Sequence, residues 1–366
     1  MFTIAKAPET MGARERVART FAFEKTDRVT IGYDANPGID GRLKEALGVP
    51  AGDGEELLEA LGVDYRGIGA PYIGPQLFTA PPERRVNSLE GSVTRWIEHS
   101  SGGYWDNCDF PLANATDEDF AKFPVPDADD MDYDAALAKA KSYGGKYALF
   151  VGGAGTPDVI NSNSRIIGME DLLCHLITGN PAAMDFIKRR AAFQLAMLDR
   201  LLDKCRGYID FMWLGEDLGT QIAPMISLEL YRSAIKPIHS RFAALAASYG
   251  IPPMIHTCGS SSWAYEDMIE IGIKGVDTLQ PEARDMSPEY LVKRFGGRLN
   301  FRGCISTAGE LSFGSAEDVT RVCKTTLELM KTCGGYHFAP THSIQDNSPV
   351  ENVVAMYQAA HDFGRY

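Results

Sequence analysis

Eight short runs rich in apolar and β-branched residues, separated by longer amphipathic stretches, constrain this chain more than any other feature. They centre near residues 29, 65, 147, 210, 252, 275, 299 and 336. Strands that alternate with helices through short turns form parallel sheets, because each crossover carries a helix back over the sheet. Eight such units predict a (β/α)8 barrel, a TIM barrel, of class α/β. A doubly wound open sheet is the alternative, but no strand is followed by the Gly-x-Gly-x-x-Gly turn that such folds use to bind dinucleotides. The 366 residues suit one barrel domain spanning 1–366 with insertions.

The punctuation between the runs supports this reading. Met11–Phe21 reads as an opening helix, and residues 40–62 as helical with a break at Pro50-Ala-Gly-Asp-Gly54. Asn180-Pro181 has the form of an N-cap followed by proline at the first helical position. The helix it opens is the longest, with Met184, Ile187, Ala191, Leu195, Leu198 and Leu202 on one face. Residues 227–250 read as helical and close at Gly250. Ser315-Ala-Glu-Asp318 and Ser348-Pro-Val-Glu351 resemble capping boxes.

Residues 70–145 break the alternation. They carry Pro and Gly clusters, acidic patches and the aromatics Tyr72, Phe78, Trp96, Tyr104, Trp105 and Phe110, with Val93–Glu98 as one arm of a hairpin. We read this as an insertion after the second strand. It is either a lid or binding loop beside a site, or a patch with its own small core.

Composition narrows the function. A net charge of −13 argues against nucleic acid and anionic membrane surfaces as partners. No run approaches the roughly 18 apolar residues of a membrane span. The start, Met1-Phe-Thr-Ile-Ala-Lys6, lacks the apolar core of a signal peptide. Seven scattered cysteines suit a reducing, cytoplasmic setting rather than a disulfide framework.

In a barrel, chemistry sits at the C-terminal ends of the strands. The polar residues predicted there are Tyr33, Asp34, Glu216, Asp217, His256, Cys258, Gln280, Cys304, Thr341 and His342. Within Ile251–Gly259, strand alternation turns Met254, His256 and Cys258 to one side, and Gly259 lets the chain turn away. An imidazole and a thiol side by side can hold one borderline-soft metal ion, with zinc the leading candidate. Glu216 and His342 supply two further donors of types that zinc accepts. The competing readings are structural: a buried cysteine and a satisfied core histidine, a Glu216 that caps a helix or pairs with Arg302, and a His342 that bonds at a strand–loop boundary. His99, His175, His239, His337 and His361 read as surface or packing residues. There is no Gly-x-Ser-x-Gly elbow and no P-loop.

Taken together, Arg14-Glu-Arg-Val17, Asp27-Arg-Val29, His256-Thr-Cys-Gly259, Phe301-Arg-Gly-Cys304, Gly334-Gly-Tyr336 and Ala339-Pro-Thr-His342 with Pro349-Val-Glu-Asn352 resemble the uroporphyrinogen decarboxylase superfamily, in its corrinoid-dependent methyltransferase branch. The resemblance implies a (β/α)8 barrel. The family's decarboxylases hold a tetrapyrrole with an Arg-Gln-Ala-Gly-Arg type segment and a buried Asp. Here the first strand ends in Gly32-Tyr33-Asp34, which argues against porphyrinogen decarboxylation. Thiol-methylating members hold zinc with His-x-Cys and a later Cys near the last strand. The first two positions map onto His256 and Cys258, but the third is His342. One thiolate fewer makes the metal a better Lewis acid, which suits polarising a methyl ether. The implied function is O-demethylation: a zinc-dependent methyltransferase moving a methyl group from a methoxylated aromatic compound to the Co(I) of a separate corrinoid protein. The cobalamin comes from that partner, since the chain lacks an Asp-x-His-x-x-Gly motif. Asp217, Tyr33 or Glu216 would assist protonation. Because members of the family pair, a homodimer is the expected assembly. A methyl-corrinoid:thiol methyltransferase and a metal-free small-ligand binder are the alternatives.

Overall fold

A computed structural model describes residues 1–99 and 102–366. The strands, in chain order, are β1 (Thr30–Ile31), β2 (Tyr65–Gly67), β3 (Arg85–Val86), β4 (Val93–His99), β5 (Gly102–Asp109), β6 (Ala148–Pro157), β7 (Phe211–Gly215), β8 (Pro253–His256), β9 (Gly275–Leu279), β10 (Asn300–Ile305) and β11 (Tyr336–Pro340). Eight of them form one sheet in the order β1-β11-β10-β9-β8-β7-β6-β2, and each pairing is parallel. The two ends of the sheet meet where the Asp64 N–H donates to the Ile31 carbonyl at 3.0 Å. The sheet therefore curls into a (β/α)8 barrel, and each of the eight expected runs is one of its strands.

Two cores follow from strand alternation. Outward-facing residues such as Ile31, Leu149, Met212, Ile255 and Phe338 pack beneath the surrounding helices. Inward-facing Tyr65, Phe211, Trp213 and Met254 fill the barrel, and Val17 and Phe21 join them from the helix Ala13–Phe21. That helix is fixed by a buried ion cluster. Arg16 bonds Asp64 Oδ1 at 2.5 Å and Asp27 Oδ1 at 2.7 Å, and Arg28 bonds Asp64 Oδ2 at 2.7 Å. The Arg14–Val17 and Asp27–Val29 motifs thus carry architecture: they tie the opening helix to the first two barrel strands.

Asn180 caps the long helix Pro181–Lys204, its side chain accepting from Ala183 N. The expected helix over 227–250 is present but loosened. Pro237 has no N–H to donate, and the turns before it widen into a π-helix over Tyr231–Ile235, followed by the α-helix Lys236–Ser248. Ser315 and Asp318 form the predicted capping box. The second predicted box does not form. The C-terminal helix Val350–Phe363 is preceded by Pro349, with no side-chain cap. Ser348 is instead buried against Ser312, with the two hydroxyls 2.9 Å apart.

The insertion holds an antiparallel sheet, β3-β4-β5, with Val93–Glu98 in its central strand. Trp96 and Trp105 pair across β4 and β5, and Phe78 packs on Phe123, which reaches Phe186 of the long helix. Strand β6 also differs from expectation. It continues past Gly152 and Gly153, shifts register against β7 between Gly152 and Pro157, and delivers Asp158 to the barrel mouth. Among the described residues, no helix is long and apolar enough to cross a membrane.

Candidate metal centre at the barrel mouth

His256 ends β8, and in the register of β8 with β9 its direct neighbour is Asp277. The imidazole Nδ1 lies 3.0 Å from Asp277 Oδ2, so this nitrogen carries the proton and Nε2 is free as a donor. Nε2 lies 3.4 Å from Cys258 Sγ. Cys258 is already beyond the strand, and its backbone N–H donates to Asp217 Oδ1 at 2.7 Å, which fixes the turn. At Gly259 the chain takes φ +69°, and a Cβ there would sit 2.3 Å from the Gly219 carbonyl, so only glycine fits the turn. His342, on the loop after β11, completes the group with its ring 5.9 Å from that of His256. Donor atoms of His256, Cys258 and His342 all lie within 4.8 Å of one another.

This donor set fits zinc. Tetrahedral ligands at roughly 2.0–2.3 Å from the metal stand about 3.3–3.8 Å apart. The His256–Cys258 pair is at that separation already, and small side-chain rotations bring in His342. Three protein ligands leave a fourth position for water or substrate, the pattern of catalytic rather than structural zinc. Asp277 behind His256 is the outer carboxylate that orients a ligating imidazole and raises its basicity. Burial opposes a charge on His256, but the hydrogen bond and negative charge of Asp277 hold its pKa above the ordinary value. Burial, with Asp217 adding to it, pushes the Cys258 thiol well up. Metal binding has to displace that proton, and a dication at the site supplies the charge that does so.

The cluster opens on a cavity of about 470 Å³ that Phe150, Trp213, Asp34, Asp158, Asn161 and Arg165 also line. Arg302, buried on β10, braces the site. It donates to Asp277 Oδ1 at 2.6 Å and to Tyr65 Oη at 2.7 Å, bonds Asp34, and lies 4.5 Å over the Trp213 ring. Arg302 holds the Asp277 carboxyl well below the usual carboxylate range against the cost of its burial. Thr278 takes φ +65°, a costly conformation for a β-branched residue, and its Oγ1 sits 2.6 Å from His256 Nδ1.

Several expected residues lie elsewhere. Glu216 is fully buried and turned away from the cluster. Its carboxylate accepts from Val159 N and Ile160 N, both at 2.8 Å, and lies 3.1 Å from His239 Nε2. It holds the 158–160 turn, and the structure does not bring it to the metal group. Nor does it pair with Arg302. Tyr33 packs on Tyr357 and donates to Asp40 at 2.9 Å, outside the main cavity. Asp217 does line the cavity, accepting from Asn161 Nδ2 at 2.7 Å. Gln280 supports the Gly259 turn by accepting its N–H at 2.7 Å. Cys304 is buried at φ +71°, and Thr341 is buried beside Thr307. None of the six insertion aromatics lines the cavity; its aromatic walls are Phe150 and Trp213. His239, His337 and His361 are buried packing residues, His175 stands edge-on to Phe120, and the side chain of His99 lies outside those described. Sequence reasoning missed Asp277, Thr278, Asn161 and Asp158. The signal for the first was a carboxylate in an apolar strand, Gly275-Val-Asp-Thr-Leu279.

Among solved structures, a methyltransferase from Methanosarcina mazei superposes with a TM-score of 0.65 at 17% identity, over 96% of this chain and 99% of that one. The native xylanase 10B from Thermotoga maritima is far less alike, with a TM-score of 0.38 at 10% identity over 65% of this chain and 82% of that one. No curated protein matches the chain. The family model described as uroporphyrinogen decarboxylase (URO-D) matches residues 164–363. That span exceeds half of the chain and holds His256, Cys258, Asp277, Arg302 and His342, and the chain belongs to the uroporphyrinogen decarboxylase family.

Proposed function

We propose that the chain is a zinc-dependent methyltransferase that moves a methyl group from a methoxylated aromatic compound to the Co(I) of a separate corrinoid protein. The observation that carries this is the His256–Cys258–His342 group opening on a cavity with Phe150 and Trp213 in its walls. The methyltransferase with the same fold is consistent with it. The donors are two imidazoles and one thiol, a harder and less anionic set than one imidazole with two thiolates would give. When bound, zinc supplies Lewis acidity that draws charge from the ether oxygen.

The chain's own residues do the rest. Phe150 and Trp213 offer faces to an aromatic ring and keep water from it. Asp277 fixes the tautomer of His256, and Arg302 fixes Asp277. Asp217 holds the Cys258 turn, and its Oδ1 lies 3.9 Å from His256 Nε2 on the cavity side, placed to take part in proton exchange as the thiol ionises. In the reaction the O–CH3 bond would break with its bonding pair left on oxygen, the corrinoid's Co(I) would supply the two electrons of the new bond to the methyl carbon and so become Co(III), and the phenolate would leave and take a proton from solvent. The test is methyl transfer from a methoxyarene to a Co(I) corrinoid protein, followed by the cobalt absorption spectrum. Turnover by the wild type and none by His256→Ala supports the assignment. Equal turnover by both refutes it.

A further inference from the structure

Strand β6 outruns its neighbour as it nears the barrel mouth. Gly152 pairs with Trp213 and Pro157 with Gly215, five steps on β6 against two on β7, so β6 carries three extra residues. The stretch between, Gly153-Ala154-Gly155-Thr156, bulges out of the ladder. Its first three residues line the cavity onto which the His256–Cys258–His342 group opens. The glycines here answer two different demands. The fold requires Gly152, where φ is +86° and a Cβ would overlap the Trp213 carbonyl. It also requires Gly215 on β7, where a Cβ would overlap the Ala154 carbonyl. Gly153 and Gly155 are under neither constraint. Neither takes a positive φ. A Cβ on Gly153 would meet nothing within 4 Å, and one on Gly155 would meet only Ser162 Oγ, at an ordinary 3.8 Å.

Alanine would therefore fit both positions and hold the strand better, because glycine gives up more conformational freedom on folding. Glycine inside a strand serves a bulge, a tight bend or the close approach of a ligand to the backbone, and Gly152 already serves the bulge. The stretch is near the metal group and held in place. Gly215, against which Ala154 lies, is the register partner of His256 on β8, and neighbouring strands stand about 4.8 Å apart. The Gly155 carbonyl accepts from Gln194 Nε2 of the long helix at 3.2 Å and from Ser162 Oγ at 3.4 Å. The missing side chains thus leave a fixed, flat wall of peptide planes beside the metal donors. The cavity of about 470 Å³ falls in the range of roughly 300–1,000 Å³ that takes drug-sized ligands, more than one unsubstituted ring fills.

We infer that Gly153 and Gly155 determine specificity: they keep room beside the metal group for a second ring, and the compound taken is a bicyclic methoxyarene rather than a single-ring one. This rests on the methoxyarene reading above and narrows it.

The test reads binding and needs no corrinoid protein. Zinc-loaded wild type and the double variant Gly153→Ala, Gly155→Ala are dialysed to equilibrium in sealed cells against 2-methoxynaphthalene or methoxybenzene, and both proteins are unfolded in urea. Wild type is expected to bind the naphthalene at least about tenfold more tightly, the yield of burying the added ring. In the variant two methyl groups occupy the room, and the preference falls to about threefold or less. The variant's urea midpoint stays level with that of wild type or rises. No preference in wild type, an unaltered preference in the variant, or an equal loss of both compounds overturns the assignment of Gly153 and Gly155 alone. A lowered urea midpoint does the same, since it makes the two glycines structural. Failure of wild type to bind either compound overturns the methoxyarene reading, and this inference with it.

Discussion

Asp277 joins the two halves of the site, so its replacement separates metal binding from fold stability. Oδ2 faces His256 Nδ1 at 3.0 Å and Oδ1 accepts from Arg302 Nη1 at 2.6 Å. Both partners are donors, and a carboxylate satisfies both. In Asp277→Asn the side chain keeps its shape but offers one acceptor and one N–H donor. If the amide oxygen stays with Arg302, the NH2 faces His256 and the imidazole must shift its proton to Nε2, where it blocks the metal lone pair. If the oxygen stays with His256, the NH2 faces a buried guanidinium. Losing an outer-shell partner of a metal-bound histidine costs roughly 10–100-fold in metal affinity. Because Thr278 Oγ1 lies 2.6 Å from the same nitrogen and can accept in its place, we expect the lower end, about tenfold. Breaking a buried ion pair costs about 3–5 kcal/mol of stability. Asp34, which also bonds Arg302, offsets part of this, so a loss of about 3 kcal/mol is expected. Competition against a chromophoric chelator reads the first effect and urea unfolding of the metal-free protein reads the second. Metal affinity equal to wild type in a variant that is destabilised as expected would show that Asp277 does not act through His256.

Two further predictions follow from other buried contacts. Glu216→Gln should keep its metal, since the residue faces Val159, Ile160 and His239, but lose about 2–4 kcal/mol through a donor left facing a donor; metal analysis of the purified variant checks the first part, and a loss of metal from a folded protein would return Glu216 to the ligand set. His337, buried inside the barrel with its Nε2 unpartnered among the described residues, is held down at about 3 by burial and then by Arg302. The unfolded chain takes up that proton near pH 6.5 while the folded chain does not, so stability is lost as pH falls from about 6.5 toward 3, by up to about 1.4 kcal/mol per pH unit. Urea unfolding at pH 7 and pH 5 should show this loss in wild type and a shallower one in His337→Gln; parallel losses would exclude His337 as the cause.

How far the site could be read in advance follows from geometry. His256 and Cys258 were legible as a pair because two residues of spacing at a strand end keep them close, although it is the turn beyond β8, not strand alternation, that sets Cys258 beside the imidazole. Glu216 and Asp217 were not separable, because neighbours at a strand end point to opposite sides and sequence does not say which points in. Asp217 faces the cavity, and Glu216 faces the turn that β6 delivers. Asp277 was invisible for a different reason. It stands beside His256 only through the β8–β9 register, 21 residues away in sequence, and register is not written in either strand alone. Charge alone permits Arg302 as one possible partner of Glu216; the barrel interior gives it Asp277 and Asp34 instead. Tyr33 lies two residues beyond β1, where the chain has already turned outward to Asp40 and Tyr357. The fold was more legible than the site because it rests on eight repeats of one pattern, whereas the site rests on single side chains brought together by register and turns.

The most direct test of a metal centre at His256, Cys258 and His342 is elemental analysis of the purified protein together with His256→Ala and Cys258→Ser. We expect about one zinc per chain in the wild type and none in either variant, with both variants folded by circular dichroism. A wild type that binds no metal at micromolar zinc, or variants that keep a full equivalent, would contradict it.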